Sequence, residues 1–163
     1  MKRQLIALLL VASLMVAAGC TEEAEETAMP DLDAAGFWTT IVETTPYTEW
    51  GTWPGYEDIY PGKSPHGKYL RLYANEPAIN AAKEGKPMPD GAILVKENYG
   101  EDKTTLMAIT PMFKVAGYNP EGGDWFWVKY GADGTIMKEG KVEGCINCHR
   151  EVAENDWIFT EAK

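Results

Sequence analysis

The sequence predicts an α+β domain, a predominantly antiparallel β-sheet with a few short helices, the last of them near the C-terminus. Three observations carry that prediction. Several short runs are rich in aromatic and β-branched residues, the composition that suits a half-buried pleated surface. Glycines and prolines, 16 and 10 of 163 residues, separate those runs closely enough to make turns between them. Only brief stretches have helical composition, so neither a helical bundle nor a βαβ repeat fits.

Taken in order, residues 68–74 (KYLRLYA) alternate and are aromatic-rich, as a strand with one buried face should be. Residues 78–84 form a short helix, opened by Pro77 and stopped by Gly85. Pro87, Pro89 and Gly91 force a turn into a strand over 92–99, rich in Ile, Leu and Val. Its phase sets Ala92, Leu94, Lys96 and Asn98 on one face, and Ile93, Val95 and Glu97 on the other. Residues 104–115 make a further strand, in which Pro111 predicts an edge position or a bulge. Residues 124–130 (DWFWVKY) are the most β-like of all. Ala132-Asp133-Gly134 is a turn, and 135–142 a weaker hairpin partner. A helix should then open at Cys145 and run through Val152.

The N-terminus predicts export. Met1-Lys2-Arg3 is a short basic head, and residues 5–18 are apolar except for Ser13. That run is too short to span a membrane and reads as a signal peptide over 1–19. Ala17-Ala18-Gly19 before Cys20 resembles a bacterial lipobox, with Cys20 as the lipidated first residue of the mature chain. Ordinary cleavage, leaving Cys20 as a free thiol, is the alternative. Thr21 after the cysteine resembles lipoproteins sorted to the outer membrane, facing the periplasm. Residues 20–36 hold six carboxylates and almost no large apolar residue, so they read as an acidic tether, with the single domain spanning 37–163. A net charge of −10 excludes nucleic acid as a partner. It also excludes charge-driven adsorption to anionic lipid, so membrane attachment rests on the acyl chains alone. The acidity suits solubility and the steering of a basic redox partner protein.

Residues 145–149 read Cys-Ile-Asn-Cys-His, the c-type haem attachment motif. Two thiols three apart, Cys145 and Cys148, can each form a thioether to one vinyl group of a single covalent haem c. The imidazole of His149 then ligates the iron as an axial metal ligand. A thioredoxin-type dithiol would sit early in a βαβ pattern, and this motif lies near the C-terminus. A zinc site needs four ligands, and beyond the motif the chain offers one histidine, His66, and one cysteine, Cys20. No methionine follows His149, so any methionine ligand to the sixth position comes from upstream: Met88, Met107, Met112 or Met137.

The sheet, the C-terminal motif and the segment Asp156-Trp157-Ile158-Phe159-Thr160 together resemble the cytochrome P-460 family and its relative cytochrome c′-beta. The run Asp90-Gly91-Ala92-Ile93-Leu94-Val95-Lys96-Glu97 is similar to that family's Asp-Gly-x-x-x-x-Lys-Glu segment, and the strands around Leu72-Tyr73 and Trp125 also fit. The resemblance spans residues 47–160. It implies a monohaem protein with an open iron face acting on small nitrogen compounds. In cytochrome P-460 proper a lysine is tied to the macrocycle and hydroxylamine is oxidised. In cytochrome c′-beta the tie is absent and nitric oxide or carbon monoxide binds. Lys96 stands where the resemblance would put the tied lysine. The family's frequent dimerisation makes a homodimer an expectation.

His66 lies in the loop Ser64-Pro65-His66-Gly67 and offers a distal group: an iron cap, a hydrogen-bond donor or a proton shuttle. It departs from the apolar distal face of the family. A solvated strand charge for Lys96 and a backbone-bonded loop histidine for His66 are the plain alternatives. Trp50-Gly51-Thr52-Trp53-Pro54-Gly55 also suits a carbohydrate-stacking loop, though no acidic pair accompanies it. Two functions stay open: a haem-dependent oxidoreductase, or a nitric oxide-binding or electron-transfer protein without turnover.

Overall fold

The computed structural model describes residues 32–163. Both the expected signal peptide and Cys20 lie outside the described residues. The Asp33 carboxylate caps the first helix by accepting hydrogen bonds from the Ala35 and Gly36 amides at 3.0 and 2.9 Å. Helix α1 covers Ala34–Trp38 and continues as a π-helical turn through Thr44. The boundary expected at residue 37 therefore moves upstream. Asp33 and Ala34, assigned to the tether by the acidic composition, belong to the domain because one caps α1 and the other is fully buried.

Seven strands form one antiparallel sheet: β1 (Gly51–Thr52), β2 (Tyr60–Pro61), β3 (Tyr69–Ala74), β4 (Ile93–Tyr99), β5 (Leu106–Lys114), β6 (Trp125–Gly131) and β7 (Ile136–Gly140). From β3 to β7 neighbours in sequence are neighbours in space, and β1 and β2 both pair with β3. Helix α2 (Glu76–Glu84) is capped by the Asn75 side chain, which accepts from the Ala78 amide, and it ends on Gly85 at φ 63°. The α+β reading and the order of elements hold.

Three local expectations give way. β5 is not an edge: it lies between β4 and β6. Pro111 pairs with Val95 of β4, while the pairing to β6 skips Thr110 and Pro111 and resumes in the same register. The proline has no N–H to give, and the sheet accommodates it by opening the ladder on one side rather than by a bulge. Helix α3 spans Glu143–His149, so the cysteine motif closes this helix instead of opening it. The chain beyond tightens into a 3-10 stretch, Arg150–Asn155, broken by non-helical Val152. Finally, Gly51-Thr52 is built into the sheet and Trp53 is buried, so the Trp50–Gly55 segment offers no free stacking loop.

Strand alternation divides the core in two. One face carries Tyr73, Ile93, Val95, Ile109, Phe113, Phe126, Val128 and Tyr130, covered by Phe37 of α1 and Ile41 of the π-helical turn. The other carries Leu72, Leu94, Met112, Trp125 and Trp127 under α2, Ile146 of α3, and Trp157 and Ile158. Phe37 stacks on Phe113 at 5.4 Å and meets Phe126 edge-on at 6.1 Å. Phe37→Ala should cost about 3–5 kcal/mol and lower the melting temperature by roughly 10 °C, read by near-ultraviolet circular dichroism. An unchanged melt would detach α1 from the core.

Candidate functional site

On the second face of the sheet, α3 and the ends of β4, β5, β6 and β7 enclose a cleft of about 710 Å³. Cys145, Cys148 and His149 line one side of it, and His66, Gly67 and Asn98 another. Lys96 joins His66 and His149 around the adjoining recess, with Thr110, Met112, Trp127 and Phe159. The structure therefore brings the motif, Lys96 and His66 together.

His149 is buried and its ring is held hard. Nδ1 lies 2.6 Å from the Trp157 carbonyl oxygen, which can only accept, so Nδ1 carries the proton and Nε2 is left bare. Trp127 packs against the ring at 4.7 Å and Phe159 at 5.0 Å between centroids. The carbonyl reaches His149 because Asp156 and Trp157 both adopt left-handed backbone, φ 50° and 67°, a conformation uncommon for a bulky residue. Side-chain and backbone bonds secure that bend. Asp156 accepts from the Met88 amide at 2.7 Å and from Lys114 Nζ at 2.5 Å, and its carbonyl accepts from Trp125 Nε1 at 3.0 Å.

His66 is equally fixed. Asn98 Oδ1 accepts from the Gly67 amide and faces His66 Nδ1, both at 3.0 Å. Asn98 Nδ2 donates to the Lys96 and Ala108 carbonyls and to Thr110 Oγ1, which settles the amide's orientation. His66 Nδ1 is thus also a donor. Gly67 lies against β4 so closely that a Cβ would stand 2.7 Å from the Tyr99 backbone nitrogen. Only glycine lets the loop approach so near. The His66 imidazole bonds to a side chain rather than to backbone, and its ring centroid is 6.2 Å from that of His149.

Burial pushes the pKa of both imidazoles down to about 4, and the nearby Lys96 cation adds to the shift. Burial lowers Lys96 itself to about 8, partly opposed by Cys148, and raises the Cys145 thiol. Glu97, next to Lys96 in sequence, faces the opposite side. There it accepts from Tyr47 and Tyr99 hydroxyls at 2.9 and 2.7 Å, and burial together with its charge raises both phenols. Of the candidate methionines, Met88 is packed in the core, Met112 borders the recess, and Met107 and Met137 line the cleft.

A model of the family described as Cytochrome P460 matches residues 47–160. The chain belongs to the cytochrome P460 family. Membership makes haem its cofactor. No curated protein matches the sequence.

The cleft suits such a group. Its volume falls in the range of cofactor sites. Met107 and Met137, 60% and 55% exposed, present apolar side chains to it, which a macrocycle would cover. Lys129 and Lys138 sit directly opposite each other on β6 and β7 and both line it, a like-charge pair that an anionic occupant relieves. Two thiols and a bare imidazole nitrogen complete the donor set.

Reading the sequence missed Asn98 and the Trp157 carbonyl. Asn98 shared the strand phase of Lys96, a usable signal. A backbone carbonyl carries no signal in the residue type. Asp156→Ala removes one partner of a largely buried pair and should cost about 3 kcal/mol. It should also loosen the His149 ring, seen as a broadened or shifted haem spectrum in the holoprotein. A stability loss with the spectrum unchanged would show that the bend does not orient the ring.

Proposed function

We propose that the chain is an exported monohaem c-type cytochrome whose haem binds or oxidises small nitrogen compounds, hydroxylamine and nitric oxide foremost. The convergence of Cys145, Cys148 and His149 on one cofactor-sized cleft carries the reading. Cys145 and Cys148 would hold the macrocycle by thioethers and His149 would ligate iron through Nε2. A haem bound there supplies one-electron chemistry and a coordination position for a small ligand. The chain's own groups set its surroundings. The Trp157 carbonyl fixes the His149 tautomer and strengthens its basicity. Trp127 and Phe159 flank the ring and keep water from it. Lys96, beside both imidazoles, is the residue we propose for a tie to the macrocycle; left untied, it would instead place an ammonium where negative charge on a bound ligand would be stabilised.

The close approach of His66 favours a second reading, in which the same haem binds nitric oxide or passes single electrons without turnover. Placement belongs to the same proposal. Among the described residues no helix is long and apolar enough to cross a membrane. Attachment would rest on lipid at Cys20, with the domain facing the periplasm from the outer membrane, serving a redox partner protein and pairing as a homodimer.

Purified holoprotein given hydroxylamine and an electron acceptor should consume the substrate with turnover. Tight nitric oxide binding without consumption would select the second reading, and inertness to both would end the nitrogen assignment. Cys145→Ser/Cys148→Ser should make the haem extractable by acidified organic solvent, whereas the parent should retain it. Proteolysis and mass spectrometry should find the peptide containing Lys96 joined to the haem peptide. A free, unmodified Lys96 peptide would end the cross-link.

A further inference from the structure

The geometry points to His66 as the sixth ligand of the resting iron, opposite His149, so that an external ligand must first displace it. The inference rests on the haem assignment above and concerns the face left open there. Both imidazoles donate from Nδ1 to partners on separate elements, Trp157 in the C-terminal segment and Asn98 on β4. Each Nε2 is therefore the bare, electron-donating nitrogen, and neither makes a hydrogen bond among the described residues. Both rings line the same cleft and the same recess.

The spacing matches a pair of ligands. Metal–nitrogen bonds of about 2 Å, with ring atoms roughly 1.1 Å from the ring centre, put two axial imidazole centroids about 6 Å apart. The observed separation is 6.2 Å, with the planes at 79°. A histidine that only hydrogen-bonded to an iron-bound ligand would stand about 3 Å farther off. The loop is also braced for this position. The Gly62 amide donates to the Lys68 carbonyl at 2.8 Å, the His66 amide to the Lys63 carbonyl at 2.9 Å, and Gly67 rests on β4. Such bracing gives a ligand that leaves by local loop opening rather than by a side-chain flip, so small ligands compete with a closed state.

The chain has two histidines, which makes the test clean. Holoprotein with ¹⁵N-labelled histidine should be low-spin when oxidised, and pulsed electron paramagnetic resonance should show two histidine nitrogens coupled to iron. The near-perpendicular planes should give a strongly anisotropic signal. His66→Ala should turn high-spin, recover the low-spin spectrum on addition of imidazole, and bind nitric oxide about tenfold or more tightly. One coupled nitrogen in the parent, a high-spin parent, or an unchanged His66→Ala spectrum would overturn the assignment. A sulfur-ligated spectrum would overturn it too, in favour of a methionine. The mass of the Cys145–Cys148 peptide, measured on the same samples, reports separately on haem attachment. Its failure would strike the haem reading and not this one alone.

Discussion

The short bond between His149 Nδ1 and the Trp157 carbonyl is the contact around which the C-terminal quarter of the molecule is arranged. The backbone carbonyl keeps one nitrogen of the ring protonated and leaves the other bare, and it does so without adding charge. To present it, two consecutive residues take a backbone conformation that bulky side chains seldom adopt. The cost is met by Asp156, which draws Lys114 and the Met88 amide onto the same bend, and by the Trp125 indole. Strand β5, the segment after α2 and the C-terminal tail thus all bear on one imidazole.

The sheet does a second job by separating its faces. Strand β4 sends Lys96 and Asn98 into the cleft side and Glu97 to the side covered by α1. Lysine and glutamate adjacent in sequence are thereby kept from pairing, and each meets a different environment. Lys96 stays beside the imidazoles and favours their neutral form. Glu97 is satisfied by two tyrosine hydroxyls. A chain of net charge −10 gathers Lys96, Lys129 and Lys138 around its cleft and recess against the single carboxylate Glu143, so the charge there is opposite in sign to that of the whole chain.

Much of this was legible in advance. The strands over 68–74, 92–99 and 124–130 announced themselves by composition, and the phase of 92–99 correctly placed Lys96 opposite Glu97. Pro111 misled, since a missing N–H weakens one side of a ladder without forcing the strand to the edge. Asp33 misled as well, because a carboxylate in an acidic run has the same composition whether it is solvated or caps a helix.

The amino-acid order by itself determined the alternation that splits the core, and the pairing of two thiols with an imidazole in five consecutive residues. Such features depend on chemistry within a few bonds or within one strand period, and so they can be read along the chain. Folding alone decided that His66 faces His149 and that a tryptophan carbonyl orients the latter. Those relations run through a backbone atom, an asparagine amide and a glycine-sized gap, none of which is marked by residue type or spacing.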